Sequence, residues 1–245
     1  MTSTAPYILA PVTRDEFFAR YWEQQPLHVE RSDSRYFSHL VSVADIDQLL
    51  STGKRSLADI QIADANRDVR VADYSDDNQR IDAAAVRRHY LEGSTIVLNG
   101  GQLKIASLAQ LCRSVTQQFV MCSQANVYLS PASQQGFNPH FDTHDVFILQ
   151  VSGRKAFRFY SSEIELPYTD DRFDPANCIE PQLQHEVTLN AGDTLYIPRG
   201  VVHDAVACGQ QPSLHITLGV FAIMLRDLLQ QIVQIAGEND VSLRR

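Results

Sequence analysis

QANVYLSPASQQGFNPHFDTHDVFILQVSGRKAFRFY, from Gln124 to Tyr160, carries strand signals at both ends and a His-x-Asp pair between them. The pair is His140 and Asp142. Successive side chains of a strand point to opposite faces, so residues i and i+2 share one. Read as one strand, the stretch aims an imidazole and a carboxylate at a single point. Asn138-Pro139 precedes the pair, as in a loop that delivers His140 onto the strand.

A second fragment, GDTLYIPRGVVHDA from Gly192 to Ala205, adds His203, 63 residues beyond His140. It follows a Gly-Asp turn and the Ile197-Pro198-Arg199-Gly200 turn. Two imidazoles and one carboxylate on one face of an octahedral ion leave three positions open. That donor set is the facial triad of non-haem Fe(II) oxygenases. The expected ligands, and hence the expected catalytic residues, are His140, Asp142 and His203. His144 shares the face of Asp142 on a regular strand, so a His140-Asp142-His144 set stays open. His203 is preferred, because two strands hold a metal more rigidly than three neighbours on one. His215 is expected to point inward, into the core or behind the ligands. His28 reads as structural or exposed, and His89 and His185 as surface residues. His39 carries no signal.

Outward from the pair, strand patterns follow one another at 126–129, 145–151, 154–160, 186–189, 194–197, 204–207 and 213–220. Most are bounded by Gly, Pro, Asn or Ser. Regular short strands with turns predict an antiparallel double-stranded β-helix, the jelly-roll or cupin barrel. The fold class is therefore mainly β with flanking helices. Residues 1–122 read as a helix-and-strand support region, 123–220 as the barrel core, and 221–245 as the start of a C-terminal helical region.

Within the support region, Phe17, Phe18, Tyr21 and Trp22 recur at helical spacing after Thr13, an N-cap with Glu16 three residues later. Val43 to Leu50 reads as a helix capped by Ser42, and Asp82 to Gly93 as one capped by Asp82. Ile60 to Ala63, Val69 to Val71 and Thr95 to Leu98 read as short strands. Leu103 to Cys122 reads as a longer helix across the barrel mouth. Phe221 to Ile235 is a helix with an apolar face.

The chain has 245 residues, enough for one sizeable core, and its 20% charged content is ordinary for a globular protein. A net charge of −8 argues against a nucleic-acid backbone as the main partner. Cys112, Cys122, Cys178 and Cys208 form no CxxC pair, so reduced thiols in the cytoplasm are expected. No apolar run follows a basic start, so no signal peptide is expected, and no run approaches the roughly 18 apolar residues of a membrane span.

At FFARYWEQQPLHVER, at the long stretch quoted above, at GDTLYIPRGVVHDA and at SLHITLGV, the chain resembles the JmjC-type 2-oxoglutarate oxygenases, in their ribosomal oxygenase branch of protein hydroxylases. The resemblance implies that His140, Asp142 and His203 ligate iron. It implies that Lys155 binds the far carboxylate of 2-oxoglutarate, with Asn126 facing the co-substrate. Tyr128 shares a face with Asn126 and is expected in the same pocket, and Thr217 is expected to add a hydroxyl. Arg154 is expected on the opposite face, in solvent. Gly219 stands where relatives of this branch often carry serine. The implied cofactors are Fe(II), 2-oxoglutarate as co-substrate, and dioxygen.

The expected function is hydroxylation of a side-chain carbon of a protein or peptide, with demethylation of methyl-lysine using the same iron chemistry. Ribosomal oxygenases continue beyond the barrel into a helical dimerisation region, whereas this sequence stops within the first helix. The apolar face of that helix predicts a partner, such as a second copy. The alternative reading is a cupin metalloenzyme or binding module that does not use 2-oxoglutarate. More histidines on the metal would favour it.

Overall fold

A computed structural model describes residues 7–52, 56–78, 80–162, 164–171, 173, 182–240 and 242. Cys178 lies outside the described residues. The first half contains α1 (Arg14–Arg20), β1 (Leu27–Val29), α2 (Val43–Ser51), β2 (Ile60–Ala63), α3 (Ala83–Leu91), β3 (Thr95–Leu98) and α4 (Ala106–Phe119). The second half runs β4 (Cys122–Ser130), β5 (Asp145–Ser152), β6 (Arg154–Tyr160), β7 (Leu183–Asn190), β8 (Thr194–Ile197), β9 (His203–Cys208), β10 (Ser213–Phe221) and α5 (Leu225–Asn239).

Three helices start where their side chains satisfy the free N–H groups of the first turn. The Thr13 hydroxyl accepts from the Glu16 amide, and Ser42 and Asp45 form a reciprocal capping box. The Asp82 carboxylate accepts from the amides of Ala84 and Ala85.

Two antiparallel sheets build the body. The larger has the order β1-β8-β5-β10-β4-β3-β2, and the smaller β7-β6-β9. The loop before β5 joins the free edge of β9 through two isolated bridges, Gln135 with Val206 and His140 with His203. The result is the expected double-stranded β-helix. Strands from the first half extend its large sheet at both edges: β1 pairs with β8, and β3 pairs with β4.

Period-2 alternation sends the two faces of the large sheet to different places. Ala125, Val127 and Leu129 of β4, Phe147 and Leu149 of β5, and Ile216 and Leu218 of β10 enter the main core on its outer face. Phe17 of α1 is fully buried there, in ring contact with Phe18, Trp22, Phe119, Phe147 and Tyr196. Asn126, Tyr128, His215 and Thr217 face the other way, toward a cavity closed by the small sheet.

Several elements differ from the sequence reading. α4 does not cross the barrel mouth. Its apolar stripe, Leu108, Leu111, Val115 and Phe119, packs behind the large sheet, where Ala125 and Val127 offer a matching surface. It ends at Val120, which adopts left-handed φ, and Cys122 already opens β4. Val69 to Val71 forms no strand; residues 71–73 make a 3₁₀ turn with the Asp73 carboxylate on the Arg70 amide. Phe221 ends β10, and the last helix begins later, at Leu225. His89 is not a surface residue: both ring nitrogens are buried, and the ring stands edge-on to Tyr74.

Phe17→Ala removes the ring that links α1, α4 and β5. The expected cost is about 3–5 kcal/mol of folding stability. Urea denaturation of the variant beside the parent checks it; an unchanged midpoint would show that the aromatic cluster does not hold α1 to the sheet.

Candidate functional site

The backbones of His140 and His203 exchange both hydrogen bonds. The His140 amide donates to the His203 carbonyl at 3.0 Å, and the His203 amide returns one at 2.8 Å. His203 sits at the first position of β9. His140 and Asp142 do not lie on one regular strand, contrary to expectation. The chain touches β9 at His140 and stays irregular until β5 begins at Asp145. The bridge and the bend bring the groups together, with the Gly200 amide holding the Asp142 carbonyl at 2.9 Å.

His140, Asp142 and His203 each offer a ligand atom within 4.8 Å of the others. His203 Nε2 stands 3.9 Å from Asp142 Oδ2. The ring orientations are set from behind. His140 Nδ1 lies 2.8 Å from the Asn138 carbonyl, and His203 Nδ1 2.9 Å from the Val201 carbonyl. A carbonyl needs an N–H, so Nδ1 of each ring is the donor, and Nε2 is left as the atom that can face a metal. Burial and the neighbouring His140 ring hold the His203 imidazole below its ordinary pKa, which favours the neutral form.

A buried network braces the pair. The Asp204 carboxylate takes a bidentate bond from Arg158 at 2.7 and 2.8 Å, one from Gln135 at 3.0 Å and one from the Tyr160 hydroxyl at 3.1 Å. Gln135 lies on the loop that delivers His140, and Asp204 follows His203. The network therefore ties both arms of the triad to β6.

His144 does not join the triad. Its ring stacks on Phe221 at 4.6 Å. A Cβ at Gly219 would come within 2.7 Å of His144 Nε2. Glycine at that position is what lets the ring lie there.

The triad opens on a cavity of about 300 Å³. Asn126, Tyr128 and Thr217 line it from the large sheet, and Lys155 and Phe157 from the small one, so the predicted co-substrate residues converge. Arg154 is exposed, as its opposite face requires. Lys155 is only 4% exposed. Its Nζ donates to Ser130 Oγ at 3.1 Å, and Ser130 also accepts from Thr95 Oγ1 at 2.9 Å. Among the described residues no carboxylate pairs with Lys155. Burial alone pulls its pKa down to about 7. Tyr128 moves up to about 12, first through burial and then through the charge of Asp142; hydrogen bonds with Asn126 and Thr217 oppose the rise. The Asn126 Oδ1 accepts from the Gly100 amide at 3.0 Å, which fixes the amide plane.

Ser130 was missed in the sequence, although period 2 marks it: it follows Asn126 and Tyr128 on the same face of β4. His215 points inward as expected. It is buried, it stacks on Tyr128 at 4.7 Å, and its Nδ1 has no hydrogen-bond partner.

The comparisons with known proteins agree with this geometry. A family model described as the JmjC domain matches residues 101–228. The chain is 34% identical over 251 residues to the bifunctional lysine-specific demethylase and histidyl-hydroxylase NO66 of Drosophila mojavensis, covering 98% of this chain and 28% of that protein. It is 32% identical over 250 residues to the protein of the same name in Culex quinquefasciatus, covering 98% and 38%. The chain thus spans about a third of the length of these relatives. Among solved structures, Escherichia coli YcfD, a ribosomal oxygenase determined in complex with cobalt and 2-oxoglutarate, superposes with a TM-score of 0.58 at 17% identity, over 94% of this chain and 57% of that one. Another crystal structure of YcfD gives 0.58 at 16%, over 93% and 58%. At such identity the likeness speaks for the fold. Identity over nearly the whole chain and the matched family model say more: this chain belongs to the JmjC domain family.

Proposed function

We propose that this protein is an Fe(II)- and 2-oxoglutarate-dependent oxygenase that hydroxylates a side-chain carbon of a protein or peptide. One observation carries the reading. A His140-Asp142-His203 face with a metal-binding donor set and a buried lysine without a counter-anion among the described residues line the same cavity. A buried ammonium lacking an acidic partner is costly, and an anionic ligand offsets that cost. A metal at one end and a cation at the other match a 2-oxoacid with a second carboxylate.

The residues fit the iron. Two imidazoles with their Nδ1 atoms engaged by backbone carbonyls and one carboxylate form a facial set. His140, Asp142 and His203 are the metal ligands and the catalytic residues, while Lys155, Asn126, Tyr128 and Thr217 bind the co-substrate. Iron bound with 2-oxoglutarate and dioxygen supplies the oxidation of a C–H bond, coupled to decarboxylation of the oxoacid. The protein supplies position. Lys155, steadied by Ser130, takes the distal carboxylate. Tyr128 and Phe157 wall the chamber and exclude water. The Asp204 network keeps the two imidazoles from swinging apart.

The relatives are named for histidine hydroxylation and lysine demethylation, which supports a protein substrate; between the two, hydroxylation is the reading we favour. The free thiols of Cys112, Cys122 and Cys208 fit the cytoplasm, and the acidic net charge fits a partner other than nucleic acid. α5 buries none of its residues and exposes Leu225, Leu228, Leu229, Ile232, Val233 and Ile235. Such a face supports a homodimer through this helix.

Anaerobically iron-loaded protein is expected to form succinate slowly from 2-oxoglutarate on admission of air. Asp142→Ala should bind no cobalt in metal analysis and yield no succinate. Lys155→Ala should keep cobalt and bind 2-oxoglutarate on the order of 10- to 100-fold more weakly. Wild-type turnover by either variant would sink its assigned role, and no succinate and no 2-oxoglutarate binding by the parent protein would favour a cupin that does not use 2-oxoglutarate.

The ammonium of Lys155 is the form that binds the anion. With its pKa held to about 7, the free site is charged below pH 7 and loses its charge above. Affinity for 2-oxoglutarate is therefore expected to be full below pH 7 and to fall above it, by up to about tenfold per pH unit. Calorimetric titrations from pH 6 to pH 9 check the sign; affinity that rose with pH would place the anion elsewhere. Light scattering at micromolar concentration is expected to give a dimer, and a monomer would leave α5 for another partner.

A further inference from the structure

Gly219 stands near the end of β10, paired on one side with Gln124 of β4 and on the other with Val146 of β5. Glycine weakens the interior of a strand, because it packs nothing and has more freedom to lose on folding. The backbone does not call for it here, since its φ lies outside the left-handed region. The reason is what lies over it. A Cβ at this position would come within 2.7 Å of His144 Nε2 and 2.8 Å of His144 Cδ2, closer than real side chains approach. The His144 ring occupies the space of the missing side chain, and it stacks on Phe221 with centroids 4.6 Å apart and an interplanar angle of 15°.

The imidazole that this glycine accommodates is unengaged. Among the described residues neither ring nitrogen has a hydrogen-bond partner. Neither is sealed from the surroundings, in contrast to the nitrogens of His89. The residue is half-buried and lines the catalytic cavity. It also lines a smaller one of about 80 Å³, together with Thr143, Thr169, Phe221 and Asp227. Phe221 is exposed, so the ring pair runs from the cavity to the surface of the protein.

The place of the ring along the cavity tells which ligand meets it. Inner-face residues of β10 and β4 pair in rungs: Ser213 with Ser130, which binds Lys155; His215 with Tyr128; Thr217 with Asn126; and Gly219 with Gln124. Six residues separate Ser213 from Gly219, about 20 Å at the rise of an extended strand. That is longer than 2-oxoglutarate, whose distal carboxylate Lys155 holds. His144, two residues after Asp142, thus stands at the metal end of the cavity, past the span of the co-substrate. The group that meets it there belongs to the substrate.

The geometry points to His144 as the residue that selects the substrate: its imidazole hydrogen-bonds the side chain presented to the metal, so that side chain carries a polar group, and Gly219 is the positioning residue that makes room for the ring. The inference rests on the functional reading above and names what that reading leaves open, the class of side chain oxidised. A neutral imidazole offers one donor and one acceptor. A site built to hydrogen-bond its substrate discriminates strongly against an analogue that cannot, because its own polar group is then left unpaired. Aliphatic side chains are the ones turned away.

The test incubates a random peptide pool with the iron-loaded protein, 2-oxoglutarate and air, and mass spectrometry locates the residue that gains oxygen. The wild type is expected to oxidise polar side chains and to leave leucine, isoleucine and valine untouched. On the best polar peptide, His144→Ala and Gly219→Ala should each lower kcat/KM about tenfold or more. Their affinity for 2-oxoglutarate, measured by calorimetry on the manganese-loaded proteins without oxygen, should stay unchanged. The double variant separates positioning from a packing defect. Once the ring is gone, a Cβ at 219 meets only Phe221 Cε2 at 3.6 Å, an ordinary contact. Gly219→Ala should therefore add nothing to His144→Ala. Additive losses, full peptide oxidation by His144→Ala, a matching loss of 2-oxoglutarate affinity, or oxidation of aliphatic residues by the wild type overturns the proposal. So does a wild type that binds 2-oxoglutarate and oxidises no peptide. If the wild type binds no 2-oxoglutarate, the functional reading itself fails, and the role of His144 falls with it.

Discussion

The site depends on two backbone hydrogen bonds between His140 and His203. They close a 63-residue excursion through four strands, and they join the loop before β5 to the first residue of β9. Two imidazoles fixed to a reciprocal bridge have little freedom to separate. The carbonyls of Asn138 and Val201, each two residues before its histidine, then choose the ring nitrogen that stays free. Position and protonation are thus set by backbone groups, which the fold supplies whatever metal is present. The Asp204 cluster adds rigidity, because its carboxylate answers to Arg158, Gln135 and Tyr160 at once.

The large sheet separates two tasks. Its outer face carries α1 and α4 on a continuous aromatic and aliphatic core, with Phe17, Phe119, Phe147 and Tyr196 in mutual contact. Its inner face is free to be polar, and it holds Asn126, Tyr128, Ser130, His215 and Thr217. Stability comes from one side and chemistry from the other, and the pleat makes that division possible. The cost of lining the cavity with polar groups from both sheets shows in their electrostatics. Lys155 is pulled down by burial, Tyr128 is pushed up, and the Nδ1 of His215 lacks a partner. Such departures gather where ligands bind.

Asp145 shows a different compromise. Burial lifts its carboxyl to about 6, and it accepts a 2.5 Å bond from the Tyr196 hydroxyl while Oδ2 has no partner. Tyr196 in turn accepts from the Glu23 amide at 2.9 Å. This chain of contacts pins the end of α1 to the strand that follows the metal loop, so the helix at the start of the chain bears on the placement of Asp142.

Much was legible in the sequence because it depends on local chemistry. Thr13, Ser42 and Asp82 announced their helices, since a cap needs only its own first turn. The seven strands from Asn126 onward followed from alternation bounded by turn residues. His140, Asp142, His203 and Lys155 stood out through residue type, spacing and family resemblance. What the sequence could not decide were matters of long-range contact. Whether α4 covered the mouth or the back of the sheet depended on which surface complemented Leu108, Leu111 and Val115. Whether His144 or His203 completed the triad depended on a bridge between distant residues, and on a glycine at 219 that leaves His144 room to stack on Phe221. That Lys155 meets no carboxylate, and His215 Nδ1 no hydrogen-bond partner, among the described residues has no sequence signal at all. A missing partner is a property of everything packed around a group, and only the tertiary structure brings that surrounding together.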